Sequence, residues 1–136
     1  MLDLSSLEKA VIAFKTSLEV YNQSPLQEQE AEKLLMRDGV IQRFEFTFEL
    51  SWKMLKRYLE LYTMEKPDGL INRDLFRIGC EQGLINDAEK WFGYLNMRNQ
   101  TSHIYDEKKA WAVFEAAKKF LPDAEFLLNK IKEKIK

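Results

Sequence analysis

The chain has 136 residues, of which 46% are hydrophobic and 32% are charged. A chain of this length forms one domain that can bury a core without a metal ion or a disulfide. The composition excludes disordered and collagen-like chains. With 21 basic and 22 acidic residues the net charge is −1, so no overall charge attracts nucleic acid or an anionic membrane, and any phosphate site must be local.

Cysteine content and hydropathy predict the compartment. Cys80 is the only cysteine, so no disulfide can form within the chain. Residues 2–21 are interrupted by five charged side chains and do not resemble a signal peptide. No apolar run approaches the length of a membrane span. We therefore expect a cytoplasmic protein with no membrane partner.

The first predicted helix begins after Asp3 or Ser5. Ser5 and Glu8 fit a capping box, in which the two side chains satisfy free amides reciprocally. Apolar residues then recur at steps of four and three along one face, namely Leu7, Val11, Phe14, Leu18 and Tyr21. Pro25 ends the helix, because proline disfavours helical geometry in the residue before it.

The second predicted helix is long and runs from about Leu26 to Tyr62, roughly 55 Å. Seven apolar residues form one stripe along it, namely Ile41, Phe44, Phe48, Trp52, Leu55, Leu59 and Tyr62. This length exceeds what a compact domain of this size needs, so either Gly39 bends the helix or one end projects.

Charged residues lie along one edge of that stripe, namely Asp38, Glu45, Glu49 and Lys56. One interpretation is that this edge is simply solvated. The other is that Glu45 or Glu49 faces an arginine across the bundle, with Arg98 as the natural partner. The spacing leaves both interpretations open.

Turn residues at Pro67, Asp68 and Gly69 separate the long helix from a short one. The short helix is predicted from Asn72 or Arg73 to about Gln82, with Gly83 as its C-terminal stop.

Two further helices complete the chain. Asn86 or Asp87 is predicted to cap a fourth helix that carries Trp91, Tyr94, Leu95 and Arg98. Asp106 is predicted to cap the last helix, which Pro122 should kink or divide. Its predicted apolar face consists of Trp111, Phe114, Leu121, Leu128, Ile131 and Ile135.

These elements predict an all-α protein, a four-helix up-and-down-type bundle with one short additional helix, in a single domain over residues 1–136. Nine Phe, five Tyr and three Trp are many for so small a bundle. At helical spacing most of them are expected to be core, while some of the excess could form an association surface.

The stretch from Arg98 to Tyr105 (RNQTSHIY) combines three reactive groups. His103 is the only histidine in the chain and can transfer protons near neutral pH. Arg98 can hold a phosphate, and Tyr105 supplies a phenol. The alternative interpretation is that His103 is a helix cap or an ordinary surface group.

On a continuous helix Asn99 and His103 share a face, whereas Arg98 and His103 lie about 140° apart. Arg98 and His103 could reach one phosphate if the helix ends near Ser102, or if two chains form one cleft. His103 would then take a proton from a ribose 2′-hydroxyl or give one to a leaving 5′-oxygen. Arg98 would stabilise the developing charge, while Asn99 and Ser102 orient the phosphate or the imidazole.

No cofactor is expected. The single histidine and single cysteine form no ligand cluster, so a metal site is not predicted. A P-loop, a dinucleotide fingerprint and a Ser/His/Asp arrangement are also absent. Any RNA cleavage is therefore predicted to be metal-independent.

Arg98, His103 and Tyr105 have the spacing R-x4-H-x-Y. This segment resembles the R-x4-6-H motif of HEPN domains, which are small helical bundles, many of them ribonucleases. Residues 37–59 (RDGVIQRFEFTFELSWKMLKRYL) resemble the long helix of the nucleotidyltransferase substrate-binding proteins. Residues 83–107 (GLINDAEKWFGYLNMRNQTSHIYDE) resemble that family's second signature. The resemblance covers most of the chain.

This resemblance implies a partner, a separate minimal nucleotidyltransferase, in a toxin–antitoxin-type pair. The chain would be the ribonuclease toxin, acting on RNA through Arg98 and His103, and the partner would silence it by attaching AMP to Tyr105. The resemblance also implies a homodimer within a hetero-oligomer such as a heterotetramer, with the motif near the dimer cleft. The alternative is a non-catalytic subunit that binds substrate or nucleotide for the transferase.

Overall fold

The computed structural model describes residues 2–65, 67 and 71–136. These residues form helices and no strand, which confirms the all-α prediction. The helices are α1 (Ser5–Gln23), α2 (Ala31–Tyr62), α3 (Arg73–Glu81), α4 (Ala88–Asn99) and α5 (Glu107–Lys134), with a 3₁₀ turn at Thr101–His103. The turn predicted at Pro67 to Gly69 lies largely outside the described residues.

Contacts between helix ends show that the four longer helices alternate in direction. Lys33 near the start of α2 bonds the backbone near the end of α1. Glu8 near the start of α1 lies 3.4 Å from Lys132 near the end of α5. Arg37 near the start of α2 pairs with Glu107 at the start of α5, so α2 and α5 run in the same direction. Along α4, Lys90 contacts Asp123 and Tyr94 contacts Lys119, so α4 runs opposite to α5. This is the up-and-down order that the sequence predicts.

The core is centred on Phe120 of α5, whose side chain is fully buried. Its ring centroid lies 4.9–6.1 Å from five other aromatic rings contributed by α1, α2 and α4, namely Phe14, Phe44, Phe48, Trp91 and Tyr94. Tilted and edge-on rings at such distances attract one another beyond the area that they bury. The predicted core role of most aromatic residues is therefore confirmed.

The predicted apolar face of α5 was only partly right. Phe114, Leu128 and Ile131 are buried, whereas Trp111, Leu121 and Ile135 are only partly buried. Phe120 belongs to this face and was not predicted. Pro122 does not divide the helix, because α5 continues through it to Lys134, although proline removes one backbone donor from the helix.

The predicted apolar stripe of α2 is buried at five of its seven positions, namely Ile41, Phe44, Phe48, Leu55 and Leu59. Trp52 is only partly buried, and Tyr62 is substantially exposed. Tyr62 ends the helix and stacks on Tyr58, which is buried.

Close to this core, Tyr94 and Asp123 join α4 to α5. The Tyr94 hydroxyl donates to the buried Asp123 carboxylate, and Lys90 Nζ lies 3.1 Å from the same carboxylate. Burial and the hydrogen bond to Asp123 both raise the pKa of Tyr94. The buried negative charge is thus satisfied by a phenol and a lysine.

A buried lysine closes the corner between α1 and α2. Lys33 Nζ donates to the carbonyl oxygens of Tyr21 at 2.6 Å and Ser24 at 3.0 Å, and lies 4.2 Å from the Tyr21 ring centroid. These carbonyls belong to the end of α1, where a cation is favourable and backbone acceptors lack helical partners. Lys33 of α2 therefore caps the C-terminal end of α1.

The capping box predicted at the start of α1 is wrong. Ser5 is the first helical residue rather than the cap, and Leu4 in the capping position makes no side-chain bond. The Asp3 carboxylate instead accepts hydrogen bonds from the backbone amide and the hydroxyl of Ser5. A carboxylate two residues before a serine can bond that serine's amide directly, which leaves Glu8 unused.

The start predicted for α2 was also too early. The helix begins at Ala31 rather than Leu26, because residues 24–30 form turns in which Leu26 N donates to Ser24 Oγ and Glu30 N donates to Gln27 O. From Ala31 the helix continues without interruption through Gly39 to Tyr62.

The signals that bound α3 and α4 were predicted correctly. Asn72 Oδ1 accepts from Leu75 N and caps α3, while Gly83 follows it with φ +77°, a conformation suited to glycine. Asp87 caps α4 by accepting from Lys90 N. Gly79 places α3 close to α2, since a Cβ there would lie 3.0 Å from Leu55 Cδ2.

The hydropathy of the helices tests the prediction that no segment is apolar enough to span a membrane. Across the described residues, no helix combines the length and the apolar character that a bilayer crossing requires.

We predict that Phe120→Ala lowers the free energy of unfolding by about 3–5 kcal/mol, the usual loss when a buried phenylalanine is truncated. Urea unfolding followed by circular dichroism measures it. Ile12→Ala is the matched control, because Ile12 is 64% exposed and should change stability by less than about 0.5 kcal/mol. Equal losses for the two variants would contradict the central role of Phe120.

Candidate functional site

The site is built where α4 ends, on a face supplied by α2. Arg98 lies in the last turn of α4, and its Nε lies 2.8 Å from Glu49 Oε1 on α2. The Nε–H is not aligned for a hydrogen bond, so the contact is an ion pair. This is the pairing that the carboxylate edge of α2 predicts, with Glu49 as the partner.

Glu45, one turn earlier on α2, holds the next element of the site. Its Oε2 accepts a hydrogen bond of 3.0 Å from the hydroxyl of Thr101, the first residue of the 3₁₀ turn. The same hydroxyl lies 2.8 Å from the carbonyl oxygen of Arg98. Two carboxylates of one helix therefore contact two points of the motif segment.

His103 and Tyr105 follow this turn. His103 closes the 3₁₀ turn with a backbone bond of 2.9 Å from its amide to Gln100 O. His103 Nδ1 lies 3.4 Å from the Tyr105 hydroxyl, and the two rings meet nearly edge to face with centroids 6.0 Å apart. Tyr105 is 82% exposed, so its phenol is accessible from solvent.

Two residues expected to assist have no side-chain partner within the described part of the chain. Asn99 ends α4 and Ser102 lies inside the 3₁₀ turn, and both are exposed. No hydrogen bond joins Arg98 to His103 among the described residues. The helix does end before Ser102, as convergence of Arg98 and His103 within one chain requires.

A clamp that the sequence did not predict fixes the far side of this segment. Arg37 of α2 is only 2% exposed and donates from Nη1 to Glu107 Oε2 at 2.7 Å and from Nη2 to Glu107 Oε1 at 3.3 Å. Its Nε donates to Asp38, and its guanidinium lies 4.8 Å from the ring centroid of Trp111. A bidentate pair of this kind restrains orientation as well as distance.

The electrostatics of the clamp follow from this geometry. Burial opposes the charge on Arg37, but hydrogen bonds to Glu107 and Asp38 outweigh it, so the pKa of Arg37 lies above its usual value. The hydrogen bond from Arg37 lowers the pKa of Glu107. Since Glu107 begins α5 and Asp106 caps it through the Lys108 and Lys109 amides, the clamp fixes the segment immediately after Tyr105.

An open groove of 470 Å³ runs between α2 and the motif segment. Its walls come from α2 on one side and from the segment after α4 on the other: Leu35, Asp38, Gly39, Ile41, Gln42, Glu45, Thr101 and Ile104. On the outer surface of α2, Leu35 is 71% and Phe46 is 55% exposed. The motif therefore borders a groove and an apolar surface that the chain itself leaves uncovered.

Comparison with known proteins agrees with this architecture. Residues 2–133 match the family model described as nucleotidyltransferase substrate binding protein like. The chain belongs to this family. Among curated relatives, it is 43% identical over 98 residues to a probable ribonuclease HepT of Haemophilus influenzae, an alignment that covers 71% of this chain and 67% of the relative.

Solved structures show the same fold. One protein of Haemophilus influenzae, described as revealing the fold of a substrate binding domain of a nucleotidyltransferase, superposes with a TM-score of 0.81 at 32% identity, over 96% of this chain and 99% of the other. A protein of Thermus thermophilus superposes with a TM-score of 0.73 at 31% identity, over 91% and 97% of the two chains. The family resemblance inferred from the two sequence blocks is confirmed.

Sequence reasoning missed Thr101, Arg37 and Glu107 as parts of this site. An arginine placed next to an apolar stripe was the available signal for Arg37, since a buried guanidinium requires a carboxylate partner. Nothing in the sequence indicated that this partner is Glu107, 70 positions further along.

We predict that Glu107→Gln lowers the stability of the protein at neutral pH. Because the native pKa of Glu107 is lowered from 4.5, its contribution should be complete above pH 4.5 and lost as the pH falls through the native value. Thermal unfolding of both proteins across this range measures the difference. Glu19→Gln on the exposed face of α1 is the control, and a Glu107 effect that does not change with pH would contradict the clamp.

Proposed function

We propose that this protein is a metal-independent endoribonuclease whose activity a separate nucleotidyltransferase controls. The observation that carries the proposal is the segment at the end of α4, where the partly exposed Arg98 and His103 and the exposed Tyr105 follow one another. Arg98 contacts Glu49, and His103 contacts Tyr105. The 43% identity to a probable ribonuclease HepT supports the reaction class.

The proposed reaction uses the groups of this segment as follows. The ribose 2′-oxygen attacks the adjacent phosphorus, the bond from phosphorus to the 5′-oxygen breaks, and a cyclic phosphate remains. His103 takes the proton from the 2′-hydroxyl or gives one to the leaving 5′-oxygen, and a water molecule carries out the other proton transfer. The ion pair with Glu49 occupies the Nε side of Arg98, so its Nη groups serve the phosphorus oxygens on which charge develops. Asn99 and Ser102 orient the phosphate.

Binding of RNA by this chain has to depend on positive charge close to the motif rather than on the overall charge. The net charge of −1 supplies no broad attraction to RNA, and several carboxylates border the motif. A target held by few phosphate contacts should therefore bind weakly and with a shallow salt dependence. A second copy of the chain or the transferase would have to contribute further contacts for tight binding.

A separate minimal nucleotidyltransferase is the proposed partner. The family description and the Haemophilus influenzae structure described as a substrate binding domain support this pairing. They also support the alternative function, a non-catalytic subunit that presents substrate or nucleotide to the transferase. The intact Arg98, His103 and Tyr105 set favours the ribonuclease.

We predict that His103→Ala and Arg98→Ala each lower the rate of RNA cleavage by at least ~10²-fold, the scale of a positioned acid–base group or charge stabiliser. Purified protein and labelled RNA in EDTA provide the assay. Neither side chain belongs to the core, so circular dichroism should show that both variants remain folded, although Arg98→Ala also removes the ion pair with Glu49.

Arg73→Ala supplies the matched control, because it removes an exposed arginine that is paired with Glu89 on another part of the surface. Cleavage that survives the His103 and Arg98 substitutions, or that EDTA abolishes, would reject the mechanism and leave the substrate-presenting function.

We further propose a homodimer, joined through the apolar outer surface of α2 at Leu35 and Phe46, which brings two motif segments to one cleft. Light scattering at micromolar concentration should give twice the mass of the chain. Leu35→Glu should shift the protein to monomer, while Met64→Glu, a change at a side chain that is 95% exposed beyond the end of α2, should not. A monomeric wild type would reject the dimer.

The transferase is proposed to silence the ribonuclease at Tyr105. The phenolic oxygen attacks the α-phosphorus of ATP, the bond to the β-phosphate breaks, and pyrophosphate leaves. Because the Tyr105 hydroxyl lies 3.4 Å from His103 Nδ1, the added AMP would remove this contact and place a phosphate and a bulky nucleoside beside the catalytic imidazole.

We predict that intact-mass analysis after incubation with the transferase, ATP and magnesium shows one or more added AMP units on wild type and none on Tyr105→Phe. Tyr62→Phe is the control, since Tyr62 is also substantially exposed, at 45%, but stacks on Tyr58. Labelling that persists in Tyr105→Phe would exclude Tyr105 as the acceptor.

A further inference from the structure

The Thr101 hydroxyl occupies a position that the proposed reaction does not explain. It carries one proton and lies within hydrogen-bonding distance of two acceptors, Glu45 Oε2 at 3.0 Å and the Arg98 carbonyl at 2.8 Å. The carboxylate is the stronger acceptor because it is charged. A bond to the Arg98 carbonyl alone would already use the single proton of this hydroxyl, so the position of the Glu45 carboxylate beside it needs a separate explanation.

This bond lies at the point where the backbone changes geometry. The α-helical part ends at Asn99, Gln100 caps it, and the 3₁₀ turn begins at Thr101. His103 is two residues beyond Thr101, and Arg98 is three residues before it. The direction in which the imidazole leaves the backbone therefore depends on where Thr101 is held.

The two contacts from α2 form a ladder with matched spacing. Glu45 and Glu49 are four residues apart on α2, one helical turn, and they hold Thr101 and Arg98, which are three residues apart. The contact with Glu49 fixes the guanidinium of Arg98, and the contact between Glu45 and Thr101 fixes the turn that carries His103. Losing the contact between Glu45 and Thr101 would free the turn while leaving Arg98 paired with Glu49.

We propose that Thr101, held by Glu45, is a positioning residue that sets the placement of His103 relative to Arg98. The inference rests on the proposed ribonuclease function and assigns Thr101 no contact with the substrate. It predicts an effect on turnover rather than on binding, since small displacements of a reacting group reduce the rate of a bound complex.

The kinetic test compares Thr101→Val with Thr101→Ser. Valine keeps the shape of the side chain and removes the hydroxyl, whereas serine keeps the hydroxyl. We expect valine to lower kcat ~10- to 100-fold with KM nearly unchanged, and serine to retain most of the wild-type rate. Equal rates for all three proteins, or a loss in KM alone, would overturn the proposal.

Thr63→Val is the matched control, because the Thr63 hydroxyl also bonds a backbone carbonyl, that of Leu59 at 2.7 Å, far from the motif in the chain. Glu45→Gln supplies a second route. Combined with Thr101→Val in a double-mutant cycle, its effect on kcat should be less than the product of the two single effects, because both changes break one bond. Fully independent effects would contradict the Glu45–Thr101 link.

The placement of the His103 ring can also be measured by NMR, without any RNA cleavage. His103 is the only histidine, so its ring gives a single Cε1–H signal in a proton–carbon NMR spectrum. Thr101→Val should shift this signal, while Thr101→Ser and Thr63→Val should leave it near its wild-type position. An unchanged His103 signal in Thr101→Val would overturn the positioning role even if RNA is cleaved. If wild type cleaves no RNA, the proposed function fails and the NMR result alone decides this inference.

Discussion

The aromatic packing around Phe120 is the interaction on which the rest of the structure depends. One ring on α5 contacts rings from α1, α2 and α4, so the positions of all four longer helices are fixed relative to one point. The site lies on the surface of these same helices: α2 supplies Glu45 and Glu49, and α4 ends in Arg98. The carboxylates of α2 therefore meet the end of α4 because the packed rings of the core fix these two helices relative to each other. A packed interior transmits displacement, so a change in the core would move the site as well.

The polar contacts at the surface then divide the connection from α4 to α5 into fixed and free parts. Glu49 holds its beginning at Arg98, Glu45 holds its middle at Thr101, and Arg37 holds its end at Glu107. Between these points Ser102 and Tyr105 remain exposed. The backbone of this segment is therefore held at three points, while its exposed side chains are accessible to a large partner. These are the properties that both a ribonuclease site and an acceptor for group transfer require.

The sequence predicted the helices well wherever a local signal determined them. Caps at Asn72, Asp87 and Asp106 and the stop at Gly83 depend on neighbouring residues and were recognised as such. The capping box at Ser5 failed because Asp3 competes for the same amide, and Phe120 was missed because the apolar stripe of α5 was assigned to neighbouring positions. Pairing across the bundle was predictable only where an obvious charge lacked a partner, as for Arg98. The clamp between Arg37 and Glu107 joins residues distant in sequence, so its partner becomes visible only in the folded chain.

The continuity of α2 places an unusual limit on changes in chain length. Core residues such as Phe44 and Phe48 alternate along this helix with Glu45 and Glu49, which serve the site. One residue inserted between them would rotate everything on one side by about 100°, so no adjustment could restore the rings and the carboxylates together. Exposed positions of α2 that lie outside the proposed dimer surface can change identity, but the number of residues from Arg37 to Glu49 cannot change. In this helix, length is more tightly constrained than composition.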